Sequence, residues 1–599
     1  MKKMISRRAF MRAAGITAAA AAVTTAAPAA SAASFWPFTM DLQILATSDT
    51  HGKFDPWDYA ANKEDTSGSV AQQAAAIKQL RTPDTLVIDA GDTIQGNSSQ
   101  LFLEDDIHPM MAAMNAIGYD VWVPGNHEYN YGMDVIQKVM AQQKAQVLTG
   151  NVYAPDGTPL ANSYTILKKR DVRIGLIGMV TPNITRWDAV NLTGWTVTNP
   201  VDECRKVIDQ IKDQVDVLIG VMHMDTENEY GVYGSGVTDL ANACPEFDVI
   251  IAAHGHKEIP GEEINGVLVI ENKNAGATMS DIHLQLHRKL DGGWKVASRS
   301  SESIQIKDYQ ADPELVALLA PYDERAKADA VIPIGELVGG NMAPDNEIEN
   351  IPSPMVQDTA LLDFINEVQL YYTGAQVSAT AMTSMTGQMR EGTIRKCDLT
   401  SIYTYENTLY KLQMNGAQLR DYMEWSAAFY KTWQPGDLTI AFDPDTRYYL
   451  YDAFAGVNYE IDISQEPGNR IRSLTWPDGT PVADTDSFAI AVNNYRATTQ
   501  LLIAADIFAP GEAMPQLLEM DVRGDLGGIR ELLGEYIQTV KGGVIQPHVD
   551  NNWKLVGNNW DPAKHQQAVE MLRAGTLTLP GNEDARTLPS TVITEASLG

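Results

Sequence analysis

Cysteine is nearly missing from this 599-residue chain, which holds only Cys204, Cys244 and Cys397. Three scattered thiols cannot build a disulfide framework, and none has a metal-binding spacing. The fold must therefore rest on apolar burial. One bridge stays open in an oxidising compartment, and the sequence does not choose its partners. Basic residues are also in short supply: 45 Lys and Arg against 77 Asp and Glu leave a formal charge of −32. A surface of that sign repels phosphate polymers and excludes a nucleic-acid scaffold role. A small phosphate ester is not excluded, because a bound cation inverts the local field. Beyond residue 32 no apolar run reaches the ~20 residues that cross a bilayer, so a soluble chain with no stable membrane anchor is expected. No internal repeat is visible. The composition, 44% hydrophobic and 20% charged, is that of a packed globular protein.

What is present begins with a leader. Residues 1–32 carry a basic start, an Ala-rich stretch and the small-residue site Ala30-Ser31-Ala32, the pattern of an export signal. Ser6-Arg7-Arg8-Ala9-Phe10-Met11-Arg12 matches the twin-arginine pattern. It addresses the chain to the twin-arginine export machinery, and from there to a periplasmic or extracellular location. Removing the leader takes away five basic residues and no acid, so the exported chain is more acidic still.

The length is too great for one hydrophobic core. From residue 40 to 310, strand-length apolar runs at Leu42–Thr47, Thr85–Ala90, Val121–Val123, Val217–Met222 and Val249–Ala253 alternate with amphipathic segments such as Ala71–Leu80 and Cys204–Gln214. That alternation predicts an α/β domain with buried strands. Asp312-Pro313-Glu314 signals a helix start. Residues 311–330 read as a connector helix and hinge, with a kink or break at Pro321. A second domain of mixed α/β pattern spans 331–560. An extension, 561–599, holds a short helix (Ala563–Leu572) and a Pro/Thr/Ser-rich tail expected to be loose.

Five short motifs follow predicted strands: Asp49-Thr50-His51-Gly52, Gly91-Asp92, Gly125-Asn126-His127-Glu128, His223, and His254-Gly255-His256. They contain five of the chain's ten histidines. The carboxyl edge of an open α/β sheet is where ligands gather. Carboxylate oxygen and imidazole nitrogen suit divalent metals, and the mixed set allows Zn, Mn, Fe or Co. Asp-x-His turns both side chains to one side of an extended segment. Asp92, with two oxygens, can bridge two ions. Two ions ~3.5–4 Å apart can clamp a phosphoryl oxygen and acidify a water. Alone, each motif has a bland origin: a solvated loop for Asp-x-His, a turn for Gly-Asp, a satisfied core histidine for His223. Their joint order points to a metal centre.

The motif set resembles the calcineurin-like metallophosphoesterases and, within them, the 5′-nucleotidase family, over nearly the whole chain after the leader. The resemblance implies an N-terminal two-sheet domain flanked by helices and a C-terminal mixed α/β substrate-binding domain. It implies that Asp49, His51, Asp92 and His256 hold one divalent ion, and Asp92, Asn126, His223 and His254 the other. His127 would stabilise the transition state and protonate the leaving oxygen. Many 5′-nucleotidases have Asp where this chain has Asn130. An amide can orient His127 but cannot hold it charged through an ion pair. Many also have Gln where this chain has His256. Both departures, with Trp57-Asp58-Tyr59, are similar to the 2′,3′-cyclic-nucleotide 2′-phosphodiesterase/3′-nucleotidase branch.

Tyr403–Gly416, Tyr451–Ile463 and Ala489–Ala497 also resemble that branch. In the wider family two aromatic rings sandwich the base. By position these would be Tyr495 and Phe454, with Tyr451 and Tyr459 the alternatives to Phe454. Stacking accepts every base at ~1–3 kcal/mol. Asn407 and Arg390 are candidates for polar contacts to base or sugar. The expected activity is hydrolysis of 2′,3′-cyclic nucleotides to 3′-nucleotides and then to nucleoside and phosphate. The alternatives are a 5′-nucleotidase or nucleotide-sugar hydrolase with the same centre and, more remotely, a non-catalytic nucleoside-binding protein.

Overall fold

The computed structural model describes residues 39–290, 292–504, 506–581 and 586–599. The leader at 1–32 lies outside the described residues. The first unit is built, in chain order, from β1 (Thr39–Thr47), α1 (Val70–Leu80), β2 (Thr85–Asp89), α2 (Pro109–Ile117), β3 (Val121–Trp122), α3 (Met133–Gln142), β4 (Gln146–Val147), β5 (Tyr164–Lys169), β6 (Val172–Val180), α4 (Pro200–Ile211), β7 (Val217–His223), β8 (Val249–Ala252), β9 (Ile259–Ile264), β10 (Val267–Glu271), β11 (Thr278–Arg288), β12 (Trp294–Gln305) and α5 (Pro313–Ala330).

One sheet has the order β12-β11-β1-β2-β3-β4 and the other β9-β10-β8-β7-β6-β5. Strands β1 to β4 are parallel neighbours, as are β6, β7, β8 and β10. β7 and β8 are buried at every position, as strands covered on both faces must be. Alternate side chains feed separate cores. Leu42 and Ile44 face the other sheet and pack with Ile88, Ile174, Ile219 and Ile251. Leu45 turns outward to Val87, Ile77, Met110 and Leu319. Leu218 and Ile250 meet Val207 and Leu240 on the far side. The period of two thus yields an α/β/β/α stack, with each buried Leu or Ile contributing ~1.5–3 kcal/mol. The three cysteines are buried and unbridged, and Cys397 sits in a different core from Cys204 and Cys244.

α5 starts where the sequence places it: the Asp312 carboxylate accepts the N–H groups of Glu314 (2.9 Å) and Leu315 (3.1 Å). The expected break at Pro321 does not occur, and the helix runs on to Ala330. Packing overrides the proline. Leu315, Leu319, Ala326 and Ala330 are buried in the first unit's core, the Tyr59 hydroxyl donates to Asp323 (2.8 Å), and Arg325 pairs with Asp105 (2.6 Å). The helix is therefore part of the first unit, and the chain leaves that unit only at Val331.

The second unit carries α6 (Ala360–Thr373), β13 (Val377–Ala381), β14 (Leu409–Asn415), α7 (Gly416–Ala427), β15 (Asp452–Ala455), β16 (Ser487–Asn493), β17 (Gln516–Glu519), α8 (Ile529–Glu535) and α9 (Pro562–Arg573). Its main sheet has the order β15-β13-β16-β14-β17. The described part of the tail, 586–599, is not loose. Leu588 and Ile593 are buried in this unit's core. The N–H groups of Leu438, Phe442 and Tyr448 donate to the carbonyls of Ile593 (2.7 Å), Pro589 (3.0 Å) and Arg586 (2.8 Å). Apolar anchors at every few residues outweigh its polar composition. Among the described residues no helix is long and apolar enough to cross a membrane.

Candidate active site

Every motif singled out in the first unit sits at the carboxyl end of a parallel strand. Asp49 and His51 follow β1, Asp92 follows β2, Asn126 and His127 follow β3, His223 ends β7, and His254 and His256 follow β8. The sandwich brings them together. Ligand atoms of Asp49, His51, Asp92 and His256 lie within 4.8 Å of one another, and so do those of Asp92, His223 and His254. Asn126 completes the second group: its Oδ1 is 2.9 Å from His223 Nε2 and 2.8 Å from His254 Nδ1. Asp92 is common to both groups. Its Oδ2 is buried and accepts no hydrogen bond, although His223 Nε2 stands 3.2 Å away. A buried carboxylate oxygen among imidazole nitrogens, with no donor of its own, fits a divalent cation. Burial opposes ionisation of Asp49, yet His256 holds its carboxyl down to about 2.

The backbone is strained at these positions. Asp49 (φ 51°), His51 (46°), Asp92 (55°), His254 (73°) and His256 (59°) all adopt the left-handed region, which non-glycine residues avoid at a cost of about 1–3 kcal/mol each. Gly125 is required for a different reason: an added Cβ would lie 2.3 Å from Asp92 Oδ1 and 2.5 Å from the His223 ring. Glu128, whose role the sequence left unassigned, fastens two of the loops. Its fully buried carboxylate accepts the N–H groups of Asp92 (3.0 Å) and Gly125 (2.5 Å) on one oxygen, and of Thr93 (2.6 Å) and Ile94 (3.0 Å) on the other. Burial, then the neighbouring Asp92 charge, push its pKa up.

Outer partners set the imidazoles. His223 Nδ1 faces the Ala90 carbonyl (2.6 Å), His254 Nε2 faces Glu229 (3.0 Å), and His51 Nδ1 faces Gln95 Oε1 (3.1 Å). Each outer nitrogen meets an acceptor, so it carries the hydrogen and leaves a lone pair toward the cluster. His127 Nδ1 lies 2.7 Å from Asn130 Oδ1, and Asn130 Nδ2 donates to Asp188 (3.0 Å). The acid missing at position 130 is thus supplied one step further out. Burial pushes Asp188 up to about 6, against the hydrogen bond from Asn130 and the charge of His127. Gln95, Asp188 and Glu229 carry no sequence signal that marks them, because they act through contacts made only in the fold.

Tyr495 of the second unit hydrogen-bonds Tyr230 of the first unit and is half-buried on the turn after β16. The residue pairing with it is Tyr449, at a ring separation of 6.4 Å and 75°. Phe454 is not presented to the cleft. It is 2% exposed and packs edge-on to Tyr422 at 4.9 Å inside the core. Tyr451 and Tyr459 are equally enclosed. A 3-10 turn, Tyr448–Leu450, precedes β15, so strand alternation cannot tell which ring faces out. Asn407 is half-buried, with Nδ2 3.4 Å from the Tyr403 hydroxyl, and the next residue, Thr408, binds Asn494 beside Tyr495. Arg390 is not brought to the cleft: it is exposed and faces Asp345 at 3.6 Å. A basic side chain on an exposed polar loop has no burial to hold it at a site. From the first unit, Trp187 lies 5.1 Å from the His254 ring and Arg186 covers Tyr230 at 4.4 Å.

Residues 42–258 match the calcineurin-like phosphoesterase family and residues 340–502 the 5′-nucleotidase C-terminal domain. The chain is 27% identical over 602 residues to a Haemophilus influenzae 2′,3′-cyclic-nucleotide 2′-phosphodiesterase/3′-nucleotidase, covering 86% of this chain and 88% of that one. It is also 27% identical over 589 residues to the Bacillus subtilis trifunctional nucleotide phosphoesterase protein YfkN, covering 86% of this chain. The chain spans 39% of that relative's length. The fold is similar to a 5′-nucleotidase precursor from Thermus thermophilus, with a TM-score of 0.59 at 17% identity, covering 87% of this chain and 100% of that one. The chain thus joins a calcineurin-like phosphoesterase domain, with a candidate divalent-metal site at the carboxyl edges of its two-sheet sandwich, to a 5′-nucleotidase C-terminal domain.

Proposed function

We propose that this chain is an exported enzyme that uses two divalent ions, drawn from Zn, Mn, Fe or Co, to hydrolyse 2′,3′-cyclic nucleotides to 3′-nucleotides and these to nucleoside and phosphate. One observation carries the reading: two ligand groups share Asp92 at the carboxyl edge of the sandwich. The naming of the Haemophilus relative for both activities supports the substrate. Export by the twin-arginine machinery rests on the Ser6–Arg12 pattern.

Asp49, His51, Asp92 and His256 would hold one ion, and Asp92, Asn126, His223 and His254 the other. When bound, the ions supply Lewis-acid polarisation of the phosphoryl oxygens and a water acidified for attack. The chain's own residues do the rest. Asn130 and Asp188 orient His127 through its Nδ1–H, so that the imidazolium form, protonated on Nε2 as well, would give that Nε2 proton to the leaving oxygen and end as the neutral Nδ1–H ring. Tyr495 offers a π-face to the base, with Tyr449 set edge-on beside it, which orders the nucleotide without reading its identity. Asn407 adds a polar edge to that wall. The working division is a metal-holding unit at 40–310 with the 311–330 helix docked on it. The base-holding unit at 331–560 carries the 561–599 extension wrapped around it.

The test is to incubate metal-replete protein with 2′,3′-cyclic AMP, 3′-AMP and 5′-AMP and follow nucleoside and phosphate release. Turnover of the first two, abolished by Asp92→Ala, is expected. Strong preference for 5′-AMP would move the reading to a 5′-nucleotidase. Nucleoside binding with no hydrolysis in any of the four metals would reduce the chain to a binding protein.

A further inference from the structure

The extension beyond residue 560 lies outside both matched regions, yet it reaches the metal cluster. The Arg586 guanidinium contacts His256 Nδ1 and lies 3.4 Å from the Gly255 carbonyl. His256 presents its other nitrogen to the cluster, with Nε2 3.1 Å from His51 Nε2 and 3.4 Å from Asp49. Arg586 is therefore one imidazole's width from the ligand atoms. Its position is fixed from behind: its carbonyl accepts the Tyr448 N–H (2.8 Å), and Thr587, Leu588 and Pro589 after it are buried.

His256 breaks the pattern of its neighbours. His51, His223 and His254 each turn their outer nitrogen to an acceptor. His256 meets a donor instead, because a guanidinium has five N–H groups and no acceptor. A His256 that ligates through Nε2 must carry its hydrogen on Nδ1. Two donors then face each other, and Arg586 must turn aside. Besides its contacts within the protein, a cation beside that centre is placed to meet a phosphoryl oxygen, to which guanidinium binds with charge-assisted hydrogen bonds.

We propose that Arg586 is a substrate-anion contact that binds the phosphoryl group at the metal centre and favours dianionic phosphomonoesters over the monoanionic cyclic diester. This rests on the phosphoesterase reading above. An added unit of charge on the ligand strengthens its pull on a nearby cation. The second step, on 3′-nucleotides, and the retention of product phosphate then depend on Arg586 more than the first step does.

The test compares Arg586→Ala and Arg586→Lys with the parent, all loaded with Mn. Titration calorimetry reads the Kd for inorganic phosphate, kinetics reads KM for 3′-AMP and for 2′,3′-cyclic AMP, and elemental analysis reads metal content. For Arg586→Ala we expect roughly 10–100-fold weaker phosphate binding and a matching rise in the 3′-AMP KM. The rise for the cyclic diester should be smaller, metal content should be unchanged, and Arg586→Lys and added guanidinium should each restore part of the loss. Parent-like phosphate affinity in Arg586→Ala overturns the proposal. So does a loss of metal that Arg586→Lys shares, since that marks a structural role. A parent that binds phosphate through Arg586 but hydrolyses no nucleotide leaves this contact standing and sinks the function proposed above.

Discussion

Replacing Glu128 with Gln changes one atom and should loosen the whole centre. Each carboxylate oxygen accepts two backbone N–H groups, Asp92 and Gly125 on one side and Thr93 and Ile94 on the other. Gln is the same size, but one of its two terminal atoms becomes an NH2 donor. Whichever way the amide turns, one pair of buried N–H groups loses its acceptor and confronts a donor. At about 1–3 kcal/mol for each unsatisfied group, the variant should lose about 2–6 kcal/mol. Each kcal/mol moves Tm by about 2–4 °C in a domain of some 200 residues, so the first unit's melting transition should fall measurably. The loops carrying Asp92 and Asn126 should also drift, weakening metal retention. Calorimetric melting of apo and Mn-loaded protein, with elemental analysis after gel filtration, reads both effects. A Glu128→Gln protein that melts with the parent and keeps its metal would refute the reasoning.

Other substitutions separate the roles assigned above. Asp188→Asn should lower kcat roughly 10–100-fold with little change in KM, as outer partners of site imidazoles do; a KM effect alone would place Asp188 in substrate binding instead. Tyr495→Ala should weaken nucleotide binding by ~1–3 kcal/mol while sparing bis(p-nitrophenyl) phosphate, which equal losses on both substrates would contradict. Phe454→Ala should cost about 3–5 kcal/mol of stability through its cavity, visible as a lower melting midpoint of the second unit. Asp363 governs a pH effect: burial, then the charges of Asp358 and Asp550, lift its carboxyl to about 8. From the ordinary carboxylate range up to about 8 the folded chain keeps a proton that the unfolded chain has released, so this residue's contribution to stability falls as pH rises. Asp363→Asn should accordingly melt higher than the parent at pH 8, with the gap narrowing steadily toward about pH 4; parallel curves would speak against it.

The side chains gathered in the candidate site could be read from sequence because three signals coincide at each. A short buried run supplies the strand, the next residues hold scarce chemistry such as His or Asp, and the sheet edge brings successive strand ends together whatever their spacing. Strand existence followed from the same burial: β7 and β8 are buried throughout. β12, by contrast, is mostly exposed or half-buried, so its composition gives no strand signal. Pro321 misled because its penalty is local, whereas contacts that hold α5 together come from residues more than 200 positions away. Phe454 misled for a related reason: aromatic type says that a ring will be covered, not whether protein or ligand covers it. Tyr449 and Arg586 were invisible, since their places depend on a 3-10 turn and on a tail threaded back across another domain.

Left-handed backbone at Asp49, His51, Asp92, His254 and His256 sets local comfort against chemical purpose. Glycine at any of these places would relax the chain while deleting a side chain of the cluster. Selection for heat resistance alone should therefore erode the centre first, yielding hardier proteins that no longer turn over substrate. Relatives that have dropped catalysis are the place to look for such glycines, and their presence would separate the scaffold's history from that of its chemistry.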